Sequence, residues 1–146
     1  MTINEIIKRI NLYLAGEQLV YSRLEAFLDE TIDDINAQLD AKFPTFGELS
    51  ISDSYTGETE YNYFPDKYIR SVLIPGTVYK WYTMDEEGIQ TAEAYGMIYN
   101  QNLFYMVRDY LDLVPEEYKA DNKASVVFDE GSCSTPTPFD FETWSN

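Results

Sequence analysis

Apolar residues return every third or fourth position in four separate stretches of this 146-residue chain. That period admits helices packed by one face and little else. Ile3, Ile6, Ile7, Ile10 and Leu14 form the first stripe. It begins at Thr2-Ile3-Asn4-Glu5, a capping box in which the Thr oxygen accepts an early amide and Glu5 reaches back. A helix is therefore expected over 3–14, stopped by Gly16. Leu24, Phe27, Leu28, Ile32, Ile35 and Leu39 form the second stripe behind another capping box, Ser22–Glu25. The spacing predicts a helix over 22–42, ended before Pro44 because a residue preceding proline avoids the helical region.

The third stretch, 63–88, is interrupted at its centre. Pro65 suits a first helical turn, where its missing N–H costs nothing. Tyr68, Ile69, Val72 and Leu73 make one apolar face, and Val78, Trp81 and Tyr82 continue it. Between them lies Pro75-Gly76. Proline removes a backbone donor and clashes with the preceding turn, so the helix must bend or restart there. Val72, Leu73, Val78 and Trp81 are expected in the core on either side of the bend. The fourth stretch, 89–114, carries Tyr95, Ile98, Tyr99, Leu103, Met106, Val107, Tyr110, Leu111 and Val114, and Pro115 stops it.

Two segments lack this period. Residues 44–62 contain four acids and no base and alternate loosely around 53–57, which predicts a long projecting loop or a β-hairpin. Residues 120–146 are rich in Ser, Thr, Pro and acids and end in "PFDFETWSN". Phe139, Phe141 and Trp144 there are large aromatics on a segment too polar to build its own core, so an extended C-terminal arm that docks on another surface is expected. The fold class is accordingly mainly α: a small bundle of about four or five helices over 1–119, with the 44–62 loop projecting from it and the 120–146 arm beyond it.

The composition narrows the function. With 26 acidic and 10 basic residues the net charge is −16. No Lys/Arg cluster is present to neutralise a phosphate backbone, and an anionic membrane would repel the chain. Histidine is absent, which removes the commonest general base and transition-metal ligand. The lone Cys133 makes neither an internal disulfide nor a Cys-rich zinc site. The N-terminal stretch has no signal-peptide pattern, and no segment approaches the roughly 20 apolar residues of a membrane span. Carboxylates alone would have to carry catalysis. Asp33 and Asp34 are adjacent and diverge on a helix, and Asp85-Glu86-Glu87-Gly88 lacks the spacing of a calcium loop. The acids Asp29, Glu30, Asp33, Asp34 and Asp40 read as the solvated face of the second helix. No enzyme activity, cofactor or metal is expected.

Three segments, "LDETIDDINAQLDAKFPTF" (28–46), "YFPDKYIRSVLIPGTVYKWYTMDEEG" (63–88) and "AEAYGMIYNQNLFYMVRDYLDLVPEEY" (92–118), resemble in their order the head–tail connector (adaptor) proteins of long-tailed bacteriophages. The resemblance covers residues 1–120 and implies a non-catalytic virion protein. Such a protein is made in the bacterial host cytoplasm and assembles at the neck as a ring, dodecameric in the family. Its implied partners are other copies of itself, the portal protein, and a stopper or other neck or tail protein. Double-stranded DNA would pass through without specific binding, which suits an acidic wall. On this reading Phe139, Phe141 and Trp144 are the candidate portal contacts. Arg70, Lys80, Asp85, Glu86 and Glu87 are candidate inter-subunit charges. Glu48, Tyr55, Glu58 and Tyr61 are candidate contacts of the loop with the next ring. The alternative from a different class is a small acidic phage-encoded inhibitor that mimics DNA and occupies a basic site.

Overall fold

The structure is a computed structural model; it describes residues 1–14, 19–49, 58–84 and 88–120. Those residues are mainly helical, with four helices and no strands. Helix α1 spans Ile3–Tyr13 and α2 spans Tyr21–Leu39. Helix α3 runs from Asp66–Tyr68 through a π-helical stretch, Ile69–Leu73, into Ile74–Thr83. Helix α4 spans Ile89–Tyr110 and tightens into a 3₁₀ turn at Leu111–Leu113 before Pro115. The stop at Gly16, the centre of the 44–62 loop, Asp85–Glu87 and the arm beyond Ala120 lie outside the described residues.

The ends of the helices follow local chemistry. At α1 the capping box is formed: Glu5 N–H donates to Thr2 Oγ1 at 3.1 Å and Thr2 N–H donates to Glu5 Oε1 at 3.0 Å. The box expected at Ser22 is not. Helix α2 starts earlier, at Tyr21 behind Val20, so Ser22 already lies inside the helix and no side chain caps the terminus. At its other end α2 stops at Asp40, which takes the left-handed conformation (φ 52°) that a short polar side chain tolerates. Asn36 then fixes the exit: its amide donates to the Phe43 carbonyl and accepts the Phe43 N–H, both at 2.9 Å. Asn11 clamps Leu19 in the same two-way fashion at the end of α1, again at 2.9 Å for each bond.

Helix α3 is the hub and packs against α1, α2 and α4. It does not restart at Pro75. The wider π turn lies immediately before the proline, and Leu73 and Ile74 keep helical angles through it. A helix with such an insertion absorbs a proline without ending. The ring leaves the Ser71 carbonyl, four residues back, without its amide, and the Asn102 side chain of α4 donates to that carbonyl at 2.8 Å. One turn on, Thr77 is buried and satisfies itself by donating to the Leu73 carbonyl at 2.8 Å. Gly76 is where three helices meet. A Cβ there would lie 2.6 Å from Thr31 Cγ2 of α2 and 2.7 Å from the Tyr99 ring of α4. The Pro-Gly pair therefore serves packing: the proline needs a donor from α4, and the glycine lets α2 and α4 approach.

The core contains Val72, Leu73 and Val78 as expected, together with Ile3, Ile6, Ile10, Leu24, Leu28, Ile32 and Ile35. Trp81 is different. It is only partly buried, and Tyr82 takes the core position beside it, its ring stacked on Tyr95 and its hydroxyl donating to the Tyr13 carbonyl at 2.8 Å. Within the regular stretch Ile74–Thr83 the buried Ile74, Val78 and Tyr82 follow one another at four-residue steps, and Trp81 lies to one side of that row.

The loop 44–62 is rooted rather than free at both described ends. Phe46 and Tyr61 are fully buried, with ring centroids 4.8 Å apart in an edge-to-face pair. Asp29 of α2 accepts the amides of Phe46 and Gly47 at 2.8 and 3.0 Å. Burial raises the Asp29 carboxyl above the ordinary carboxylate range in spite of those two donors. At the far end of the loop, residues 59–61 pair with residues 1–3 through a single antiparallel bridge, Thr2 with Glu60. The "ETEYNY" segment thus gains a backbone partner in the N-terminal stretch, while the turn of the expected hairpin lies outside the described residues. A second bridge, Ala41 with Lys119, ties the exit of α2 to the end of the described chain.

Two outcomes test this packing. Gly76→Ala is expected to destabilise by about 1–3 kcal/mol despite alanine's better helix propensity, because its Cβ has nowhere to go. Gly96→Ala meets only the half-buried Tyr79 ring, at 2.9 Å, and is expected to cost less; denaturant midpoints give the order. Asn102→Ala is expected to cost about 1–2 kcal/mol by orphaning the Ser71 carbonyl. That cost should shrink in a Pro75→Ala background, where residue 75 regains an amide, and a double-mutant cycle measures the difference.

Candidate assembly surface

Helix α4 is apolar around most of its circumference, yet the bundle covers only part of it. Ala92, Gly96, Tyr99, Met106 and Tyr110 face inward. Turned away from them, Met97 is 73% exposed, Phe104 63% and Ile89 56%, and Ile98 and Tyr105 are also exposed. Scattered exposed apolar residues are normal, but a run of them on one helix marks a surface meant to be covered. Two grooves lie along this face. One, of ≈ 500 Å³, lies between Tyr79 and Thr83 of α3 and Ile89, Gly96 and Met97 of α4. The other, of ≈ 230 Å³, lies between Gln38 of α2 and Asn100, Phe104 and Val107 of α4.

A polar node behind α4 holds this face in place. Asp34 Oδ2 accepts from Lys80 Nζ at 2.7 Å and from Tyr99 Oη at 2.9 Å, joining α2, α3 and α4 at one oxygen. The Lys80 side chain is only 15% exposed, and its ammonium lies 5.4 Å from the Tyr99 ring centroid. Burial pushes the Tyr99 hydroxyl far above the ordinary tyrosine range, and the nearby Asp34 carboxylate adds to the shift. Tyr99 therefore stays protonated and donates to Asp34 across the physiological range. On the face expected to be solvated, Asp34 carries the node while keeping 46% of its side chain exposed, Asp29 caps the loop, and Glu30, Asp33 and Asp40 are exposed as expected.

The residues singled out from sequence are not brought together as one site. Arg70 is exposed on α3 and makes no ion pair among the described residues, so it is open to a neighbour. Lys80 is not open: Asp34 engages it within the chain. Asp85, Glu86 and Glu87 lie outside the described residues, as do Tyr55, Phe139, Phe141 and Trp144. Glu48 is exposed, but it is engaged in a local turn: its carboxylate accepts the Thr45 N–H at 2.9 Å and its own N–H donates to Thr45 Oγ1 at 3.1 Å. Glu58 is exposed. Tyr61 belongs to the core, not to a contact surface; its hydroxyl donates to the Pro44 carbonyl at 2.6 Å, and burial pushes its pKa far up.

Among the described residues no group of three or more His, Cys, Asp or Glu is placed to hold a metal ion. No helix among them is long and apolar enough to cross a membrane. The exposed run Ile89, Met97 and Phe104 was missed because the fourth stripe is apolar on more than one side. The three- and four-residue spacing of 89, 93, 97, 100 and 104 was the available signal. The chain matches no known family model, no curated protein and no solved structure.

Removing the node loosens α4. Asp34→Ala is expected to cost about 1–3 kcal/mol, since it strands a largely buried ammonium and a tyrosine donor together. Tyr99→Phe is expected to cost about 1 kcal/mol. The double variant should lose less than the sum of the two in chemical denaturation, because both changes remove the same bond.

Proposed function

We propose that the chain is a structural virion protein of a tailed bacteriophage. In this reading it is a head–tail connector adaptor that forms a ring with copies of itself, between the portal and a stopper or tail protein. The observation that carries the reading is the outer face of α4: a strongly acidic bundle leaves one long helix face apolar and nearly uncharged. Ile89 to Val107 holds a single charged residue, Glu93, in a chain of net charge −16. Such a face suits cover by other protein chains, and the acidic remainder suits a wall past which DNA moves without being held. The small helical bundle and the order of its segments agree with the resemblance to connector adaptors. Within the assembly Arg70 is the inter-subunit candidate that remains open on α3. Phe139, Phe141 and Trp144 are the candidate portal anchors, aromatic groups of the kind that fill pockets on a partner. The protein would then reside at the neck of the virion.

The test is assembly on the portal of the same phage. Negative-stain images of the mixture are expected to show an added ring of density beneath the portal, and truncation after Asn122 is expected to abolish it. Absence of binding to the portal, together with release of DNA from a basic host protein, would instead identify an acidic DNA mimic.

A further inference from the structure

The exposed stripe of α4 has an order of its own. Ile89, Glu93, Met97, Asn100, Phe104, Arg108 and Leu111 follow one another at intervals of three or four, which places them along one side of the helix. The midpoint of the stripe falls between Asn100 and Gln101. Met97 and Phe104 lie equally far from it in opposite directions, and so do Glu93 and Arg108. Ile89 and Leu111 match to within one residue. Read from either end, the stripe runs apolar, charged, apolar, amide, apolar, charged, apolar, and the two charges have opposite sign.

A stripe of this kind is complementary to itself turned end for end. The geometry points to a second copy of this chain as its occupant: two α4 helices pack antiparallel about a two-fold axis through Asn100 and Gln101. Met97 then lies on the partner's Phe104, Phe104 on the partner's Met97, and each Glu93 faces the partner's Arg108. A two-fold contact requires such an isologous, self-complementary patch.

Three further observations agree. The grooves of ≈ 500 and ≈ 230 Å³ flank the midpoint on opposite sides, next to Met97 and Phe104 respectively. The partner's Phe104 therefore meets the larger groove and the partner's Met97 the smaller. The absence of a side chain at Gly96, whose Cβ would strike the Tyr79 ring at 2.9 Å, keeps the floor of the larger groove low. Finally, two copies of net charge −16 repel one another, and this is a face that brings almost no carboxylate to the contact. Arg108 is already held by Asp109 at 2.8 and 3.0 Å through Nε and Nη2. That pair is exposed, and Nη1 keeps donors for the partner's Glu93. The contact concerns the free subunit and uses the same α4 face that the connector reading gives to neighbouring chains, so the pair opens before a ring forms. A two-fold pair closes on two copies and builds no ring, so its absence would leave assembly on a portal untouched, and failure to bind a portal would leave the pair untouched.

Sedimentation equilibrium of the full chain, without portal, tests the pair. A concentration-dependent dimer is expected. Phe104→Glu should weaken it by at least about tenfold, because the two-fold axis uses the substitution twice. Glu93→Arg and Arg108→Glu should each weaken it, and the two together should restore it. That rescue requires residue 93 to face residue 108 of the other copy, which a non-specific apolar contact does not. As a second measurement, Asn100→Cys in a Cys133→Ser background should oxidise to a covalent dimer, whereas Lys8→Cys in that background should not. A wild-type monomer at all concentrations, or a double charge exchange that fails to restore association, would overturn the pairing. So would a monomer that dimerises only after residues 121–146 are removed, which would assign the stripe to the chain's own C-terminal segment.

Discussion

The fold depends on one close approach. At Gly76 the hub helix comes within van der Waals contact of Thr31 on one side and Tyr99 on the other, and the space between them is too small for a methyl group. Everything near this point follows from that proximity. Tyr99 reaches Asp34 because α4 lies this close to α2, and Lys80 reaches the same oxygen one turn further along α3. Asn102 reaches the Ser71 carbonyl because α4 runs beside the π turn that precedes Pro75. A proline in a helix normally leaves an acceptor unsatisfied and a backbone distorted. Here the distortion is taken up before the proline, and a neighbouring side chain supplies the donor.

The abundance of tyrosine has a physical explanation in the same terms. Tyr61, Tyr82 and Tyr99 bury their rings and spend their hydroxyls on Pro44, Tyr13 and Asp34, each joining segments distant in sequence. A phenylalanine would fill the same volume but would leave a carbonyl or carboxylate with one donor fewer. The two asparagine clamps act similarly at helix exits, where backbone groups have no partner in the helix. Irregular segments are therefore fastened by side-chain hydrogen bonds rather than by sheet pairing, and isolated bridges close the bundle at two points.

Charge and apolar surface are divided unevenly. Helix α2 carries Glu25, Asp29, Glu30, Asp33 and Asp34, while α4 presents uncharged side chains outward over most of its length. Repulsion between like-charged copies confines close approach to faces of this kind, and the apolar side chains there gain from being covered. This division links the proposed roles: the same helix that is anchored from behind by Asp34, Lys80 and Tyr99 offers its front to other chains.

The sequence by itself determined the helical class, the four stripes, the capping box at Thr2, the stop before Pro115 and most of the core, because periodicity and terminal chemistry are local. It could not decide which acids take partners within the chain. Asp29 and Asp34 look like Glu30 and Asp33 until the loop amides and the Lys80 ammonium are brought to them from elsewhere in the chain. Trp81 and Tyr82 are neighbours on the same expected face, and only the contacts of Tyr82 with Tyr95 and Tyr13 decide which of them enters the core. Tyr61 reads as a loop residue because its burial depends on Phe46 and Pro44, reached across the loop. The outward face of α4 was hidden for the opposite reason. Its pattern is local and complete, but a helix apolar on several sides does not say which side the bundle will cover. Only the packing of the bundle decided it, with Tyr99 turned in against Gly76.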